Sequence, residues 1–554
     1  MARRRRRWSG ILLAAPMTAY VAVFFIAPLV LLAVYSVMKF DLLTFQVRSG
    51  FTLENYRELF SGTYVGAVLR SLAMTLVMTA VCVVLGFPVA LTIARASGRT
   101  KALLLVAVIV PYWISFVVRT YAWLELLSPT GVVSKVAAFF GIVPEGAQLG
   151  YSTFAIGVGM VAGYLPLMIL PMFMALDRID PALHEAAADM GLSRRRAFWK
   201  VTAKLAMPGS IAGVLLVGIP ATGVHDPCHP RRFQDPHGRQ CRGRAIPRHR
   251  QLPVRRRHRN DADGRHARRA LRLAQAPGSI GGHHMKRRVS PAAAVTVAVL
   301  AFLYLPIGMV IVNAFNADES LVGWGGATLE WITGAFADER VREDFLTSCL
   351  IALLSTVVAV ALSLAAVMAV SRLPKRAGAV LQTLTYARLM IPEVVIAAGI
   401  LVVIQRLGLS TGTWSVVAGH IVFCSAYATL VLQSRFATLT GTYDEAAADL
   451  GAPPRRVFLK VLWPMMMPAV VIAALLSFTF SFDDVVSTVF LAGPETETLP
   501  VLILSLSRHG TSPEINAIAV AFMFVSLVLM CLVALASFWP SKQTRSVTSE
   551  EEEA

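Results

Sequence analysis

The sequence predicts an all-α integral membrane protein built as two parallel repeats of about six transmembrane helices, with the last helix of the first repeat lost. Three observations predict it. Hydrophobic residues fill 56% of the 554 positions against 15% charged, and the mean hydropathy is +0.62, more apolar surface than a soluble core of this length can bury. Apolar stretches long enough to cross a bilayer fall into two groups, separated by a long segment that contains none. A charged segment of the first group recurs in the second at a constant offset, in the same orientation.

At about 20 residues per crossing, the first group comprises residues 11–37, 71–94, 102–124, 154–176 and 205–223. The second comprises 292–312, 345–370, 381–404, 414–432, 465–482 with an extension to 490, and 515–538. Arginines occupy positions 3–7, but the span that follows is too long for a signal-peptide core and has no small-residue cleavage site, so it is read as an anchor with a cytoplasmic start. The same rule puts Arg95, Arg99 and Lys101 in the cytoplasm, and Arg372, Lys375 and Arg376 at the matching place of the second group. Met285-Lys286-Arg287-Arg288 repeats the basic start and reads as a second native N-terminus. The six cysteines show no CxxC and no repeated spacing, which points to neither a disulfide framework nor a metal site.

Glu185-Ala186-Ala187-Ala188-Asp189-Met190-Gly191 recurs as Glu445-Ala446-Ala447-Ala448-Asp449-Leu450-Gly451. Residues 185–209 and 445–469 share 13 identities in 25 positions at offset 260. The physical content is helix, turn, helix on the membrane surface. Asp180-Pro181 supplies an N-cap followed by proline at the first helical position, and Thr442 with Glu445 forms a capping box. Gly191 and Gly451 permit the left-handed residue that ends the first helix, and Pro208 and Pro468 mark entry into the next span. The bland alternative is an interfacial amphipathic helix with snorkelling charges. Two copies with fixed Glu-to-Gly and Gly-to-Pro spacing favour a functional loop.

This pattern resembles the EAA loop of ABC importer permeases. The resemblance implies the type I permease fold in a bacterial inner membrane. It makes Glu185, Ala186, Ala187 and Gly191, with Glu445, Ala446, Ala447 and Gly451, the coupling surface for a cytoplasmic ATPase dimer. It further implies a periplasmic binding protein that delivers the solute, and no cofactor on this chain, ATP and Mg being held by the ATPase. In keeping with that division, a GxxxxGK[ST] phosphate loop needs a Gly-Lys pair, and none of the nine lysines follows a glycine. The chain is therefore read as a transport component and not an enzyme.

Residues 224–284 break the pattern, with 15 Arg, no Lys, 8 of the 11 His and 4 acids. A nucleic-acid arm or an anionic-lipid arm is one reading, and Cys228, His229, His237 and Cys241 invite a zinc reading, but no standard finger has that spacing. At offset 260 the segment faces residues 484–544, where the second repeat keeps its last span. Degenerate codons for the stretch from Val224 to Asp235, read from the second base, permit Phe-Met-Ile-Pro-Ala-Ile-Leu-Gly-Gly-Ser-Lys, similar to what polyamine permeases carry there. The expected organisation is a first subunit at 1–223, an out-of-frame, disordered segment at 224–284 that binds no nucleic acid, and a second subunit at 285–554. Five spans from a cytoplasmic start would strand the basic residues at 286–288 outside, whereas six would return them.

Finer resemblance points to a solute. Ser481-Phe482-Asp483-Asp484-Val485-Val486, Ala492-Gly493-Pro494, Leu499-Pro500 and Ser512-Pro513-Glu514-Ile515-Asn516-Ala517 look like the second subunit of polyamine (spermidine/putrescine) permeases, and Arg119-Thr120-Tyr121-Ala122-Trp123 like the first. Carboxylates at membrane depth are costly and generally line a path or meet a cation. Glu393, Asp483 and Asp484, with the aromatic faces of Tyr112 and Trp113, are the groups a chain of ammonium centres on methylenes needs, so they form the expected substrate path for a small cation. The alternative for Glu393 is a structural pair with Arg388. Arg119 repels a polycation and is read as structural, organising an acid lost from the first repeat. A secondary transporter would often show inverted repeats, and a scaffold needs no docking loop.

Overall fold

In hydrocarbon every backbone N–H and C=O must find a partner within its own segment, so each apolar stretch folds as a helix. The computed structural model describes residues 2–41, 46–60, 62–180, 182–222, 291–319, 321, 323–439, 453–508 and 512–537. The arginine- and histidine-rich stretch at 224–284 and the second docking loop, with Glu445, Ala446, Ala447 and Gly451, lie outside the described residues. The described residues form one packed unit.

In the first repeat, α1 (Ala2–Val21) runs through a π-turn at Ala22–Ile26 into α2 (Ala27–Ser36), where Pro28 cannot donate to the ladder. A hairpin of β1 (Met38–Asp41) and β2 (Gln46–Phe51) follows, with Lys39 opposite Arg48 and Phe40 opposite Val47. This small sheet departs from the all-α expectation. It is confined to the loop after the first span, where water can satisfy strand edges that lipid cannot. Then come α3 (Glu54–Leu59), α4 (Gly62–Arg95), α5 (Gly98–Trp113), α6 (Phe116–Leu126), α7 (Val132–Phe139) and α8 (Thr153–Asp177). The charged segment with α9 (Ala182–Asp189) and α10 (Arg194–Ala197) leads through a π-turn at Phe198–Thr202 into α11 (Ala203–Ala221).

The second repeat comprises α12 (Pro291–Ala314), α13 (Glu330–Ala337), α14 (Glu339–Val370), α15 (Lys375–Met390), α16 (Glu393–Arg406), α17 (Thr413–Leu439), α18 (Pro454–Val457), a π-turn at Phe458–Leu462, α19 (Trp463–Phe482), α20 (Val486–Leu491), α21 (Leu499–Ser507) and α22 (Pro513–Ser537). The two π-turns sit 260 residues apart, so the repeat extends to local backbone geometry.

Among the described residues, eight helices are long and apolar enough to cross a bilayer, and two bent pairs match the expected spans as broken helices, α5 with α6 at 84° and α15 with α16 at 103°. With α22 these account for all eleven expected spans. The extension of the tenth span to residue 490 is not made, because α19 ends at Phe482 and the chain restarts as α20.

Each repeat lends its first helix to the other. α1 lies along α14 and α2 against α16, while α12 lies against α4 and α6. Close approach depends on small residues. A Cβ at Gly399 on α16 would stand 2.9 Å from Pro28 Cβ. On α11, Gly209 and Gly213 form a small-xxx-small stripe against α8, where a Cβ at Gly209 would fall 2.4 Å from the Pro171 carbonyl.

Candidate functional site

Both broken spans end their first segment the same way. Ile114 and Ile391 leave the helix for extended backbone, the latter forced by the following Pro392, and a new helix starts at Phe116 and at Glu393. Each restart exposes N–H groups with no intrahelical acceptor and a partial positive charge at membrane depth. The chain brings carboxylates to both.

Asp483, the residue after α19, accepts from Phe116 N through Oδ2 at 3.2 Å. A carboxylate of the second repeat thus meets the start of a helix in the first repeat, and its Oδ1 has no partner among the described residues. Glu393 belongs to the first turn of α16 and accepts from Ser487 Oγ at 2.7 Å, with Asp484 beside it. Asp484 accepts from Thr488 N at 3.1 Å and Thr488 Oγ1 at 3.2 Å, which anchors the start of α20. It also lies 2.9 Å from His420 Nε2, whose other ring nitrogen is 2.7 Å from Ser481 Oγ. The two adjacent aspartates therefore divide. Asp483 faces the other repeat, whereas Asp484 is held within its own by the buried His420.

The alternative pairing of Arg388 with Glu393 is not made. Arg388 is buried and donates to Ser425 Oγ at 2.6 Å, Val422 O at 3.2 Å and Leu384 O at 3.3 Å. The 103° bend at Ile391 and Pro392 turns the two residues onto different helix axes, so a spacing of just over one turn no longer brings them together.

Aromatic rings complete the junction. Tyr112 near the end of α5 carries the Arg119 guanidinium 5.7 Å from its ring centroid. Tyr164 on α8 is in electrostatic range of both Tyr112 and Arg119, and Tyr427 on α17 is in range of Tyr112 and Glu393. Tyr427 also packs on Phe480, centroids 4.7 Å apart. Trp113 closes α5, and its side chain lies outside the described residues. The structure thus brings Asp483, Asp484, Glu393 and Tyr112 to one junction between the repeats. It adds His420, Ser487, Tyr164 and Tyr427, which sequence reasoning passed over. A lone histidine inside an apolar span was the available signal for His420.

The charged segment of the first repeat that resembles an EAA loop is built as its sequence specifies. Asp180 Oδ1 accepts from Ala182 N at 2.9 Å and caps α9, while Pro181 lies outside the described residues. Gly191 takes φ +75°, and its N–H closes on Ala188 O at 2.8 Å while that of Leu192 closes on Ala187 O at 3.0 Å. Ala187 is buried, whereas Glu185, Ala186 and Gly191 are exposed. Leu183 and Met190 flank them as exposed apolar side chains, the latter 74% accessible.

The family of binding-protein-dependent transport system inner membrane components matches residues 361–539. The chain is 34% identical over 233 residues to the spermidine/putrescine transport system permease protein PotC of Escherichia coli (strain K12), which spans 42% of this chain and 88% of that protein. It is 35% identical over 178 residues to PotB of the same system and strain, covering 32% of this chain and 65% of that protein. The putrescine transport system permease protein PotI of that strain is 34% identical over 226 residues, 39% of this chain and 80% of that protein.

Proposed function

Because the chain belongs to the family of binding-protein-dependent transport system inner membrane components, we propose that it is the membrane-spanning permease of an ATP-driven importer that carries putrescine or spermidine into the cytoplasm. The observation that carries the solute reading is the junction at the two helix restarts. Three carboxyl groups and three tyrosines converge there from both repeats, at a depth where fixed negative charge is otherwise penalised. A linear polyamine presents the complementary chemistry, ammonium centres for the carboxylates and ring faces and methylenes for apolar contact.

In this reading Asp483, Asp484 and Glu393, with Tyr112 and Trp113, line the path. Glu185, Ala186, Ala187 and Gly191 form one face for an ATPase dimer, and Glu445, Ala446, Ala447 and Gly451 the other. The exposed Leu183 on α9 and Met190 just after it support this, since an apolar patch on a charged loop calls for a partner. ATP and Mg belong to that partner, and a periplasmic binding protein delivers the solute. The capped helix and the left-handed Gly191 make α9 a stiff lever rather than a loose connector.

Reconstitution in proteoliposomes with the cognate ATPase and binding protein tests the reading. ATP-dependent accumulation of labelled putrescine or spermidine is expected. Transport of an anion or a sugar instead would overturn the polyamine assignment and leave the importer assignment standing. Residues 224–284 we read as translated out of frame, joining two subunits, 1–223 and 285–554. Resequencing the DNA around codon 223 is expected to yield two reading frames, the upstream product gaining a sixth span. A confirmed single frame with a stable product of the full length would refute that.

A further inference from the structure

Two buried arginines stand at membrane depth near the junction, and they are held in different ways. Arg388 has three acceptors within 3.3 Å. Arg119, on the second turn of α6, is 8% exposed, yet its Nε and Nη1 have no acceptor among the described residues. A buried guanidinium left with open donors costs free energy that a purely structural arginine does not need to spend. The nearest acid in electrostatic range is Asp483, whose Oδ1 is likewise without a partner among the described residues. The guanidinium rests instead on the face of Tyr112, at a distance typical of a cation held by a ring. The Tyr112 ring face and the Asp483 carboxylate, which has the Ser115 hydroxyl beside it, therefore both lie within reach of the guanidinium.

Those are the contacts that an alkylammonium group would make. We infer that Arg119 is a resident cation of the path, which occupies the Tyr112 ring and balances Asp483 when no cargo is present, and which a cargo ammonium must displace. The inference rests on the polyamine reading and assigns the role of competitor to a cation beside these groups that is tethered by its own helix. Its consequence is a path that stays charge-balanced when empty and releases cargo readily, because the resident cation returns to its place. Removing Arg119 leaves Asp483 and the ring free, so cargo should bind more tightly and leave more slowly.

The test uses the full chain in lipid nanodiscs with putrescine as the probe, its binding followed by calorimetry. The expected results are about tenfold or more tighter binding for Arg119→Gln than for the unaltered chain, near-parental binding for Arg119→Lys, and loss of the gain when Arg119→Gln is combined with Asp483→Asn. If Arg119→Gln melts like the parent and binds putrescine no more tightly, the inference is overturned while the polyamine reading stands. If neither chain binds putrescine although both melt cooperatively, the polyamine reading falls and takes the inference with it. A second measurement needs no variant. Saturating putrescine should speed phenylglyoxal modification of Arg119 in the unaltered chain, read by mass spectrometry, and an unchanged or slower rate would overturn the displacement.

Discussion

Glu125 and Asn313 offer the clearest measure of how the repeats are held together. Glu125 lies on α6 of the first repeat and Asn313 on α12 of the second, each 4% exposed, and Asn313 Nδ2 donates to Glu125 Oε1. Replacing Asn313 by Leu leaves a buried carboxyl group without its donor. A stranded buried polar group costs about 1–3 kcal/mol in soluble proteins, whereas interhelical hydrogen bonds in membranes average ~0.6 and reach ~1.7 kcal/mol because broken groups find other partners. Asn516 on α22 also lies in hydrogen-bond range of Glu125 and can take up part of the loss. About 2 kcal/mol is therefore expected for Asn313→Leu. The double variant Glu125→Leu with Asn313→Leu removes both partners and should return to within about 1 kcal/mol of the parent. Unfolding by SDS in mixed micelles, run on the parent, both single variants and the double, gives the coupling directly. If the two single losses simply add in the double, this contact does not tie the repeats.

Replacing Gly191 by Val forces a β-branched residue to φ +75°, at a cost of roughly 1–2 kcal/mol. Space around it is open, so insertion should be normal, and ATPase activity should continue while uptake is lost. Normal uptake would remove the lever role of α9. Asp483→Asn with Asp484→Asn keeps acceptors for Phe116 N and Thr488 N, so membrane levels should hold while polyamine uptake collapses. Persistent uptake would show that neither charge is required. Gly209→Leu drives a side chain into the Pro171 carbonyl and should part α11 from α8, lowering the thermal midpoint of the complex. An unchanged midpoint would mean the stripe is not a packing surface.

The spans were legible because a helix in lipid is dictated by composition alone. The docking helix was legible because Asp180 and Gly191 are local signals that act within a few residues. The contacts that make the junction were not. Nothing near Asp483 in sequence tells that it meets Phe116 across the repeats, since that contact depends on how α19 ends and where α6 begins. Arg388 shows the same limit from the other side. Its distance from Glu393 along the chain suggested a pair, and a bend at Pro392 dissolved it. The acids were recognised by their cost in lipid, but their partners His420, Ser487 and Tyr427 come from other helices and carry no local mark.

The exchange of first helices has a consequence during synthesis. Among the described residues α1 packs chiefly along α14, and the Tyr20 hydroxyl donates to Ala418 O on α17. If 1–223 and 285–554 are separate products, as proposed, α14 reaches α1 only on another chain, after both have entered the membrane. Through that interval the helix waits in the bilayer with its future interface turned to lipid, open to wrong neighbours and to membrane proteases. Correct pairing therefore depends on the second repeat arriving nearby and soon, and a first subunit made without the second should be cleared from the membrane rather than stored there.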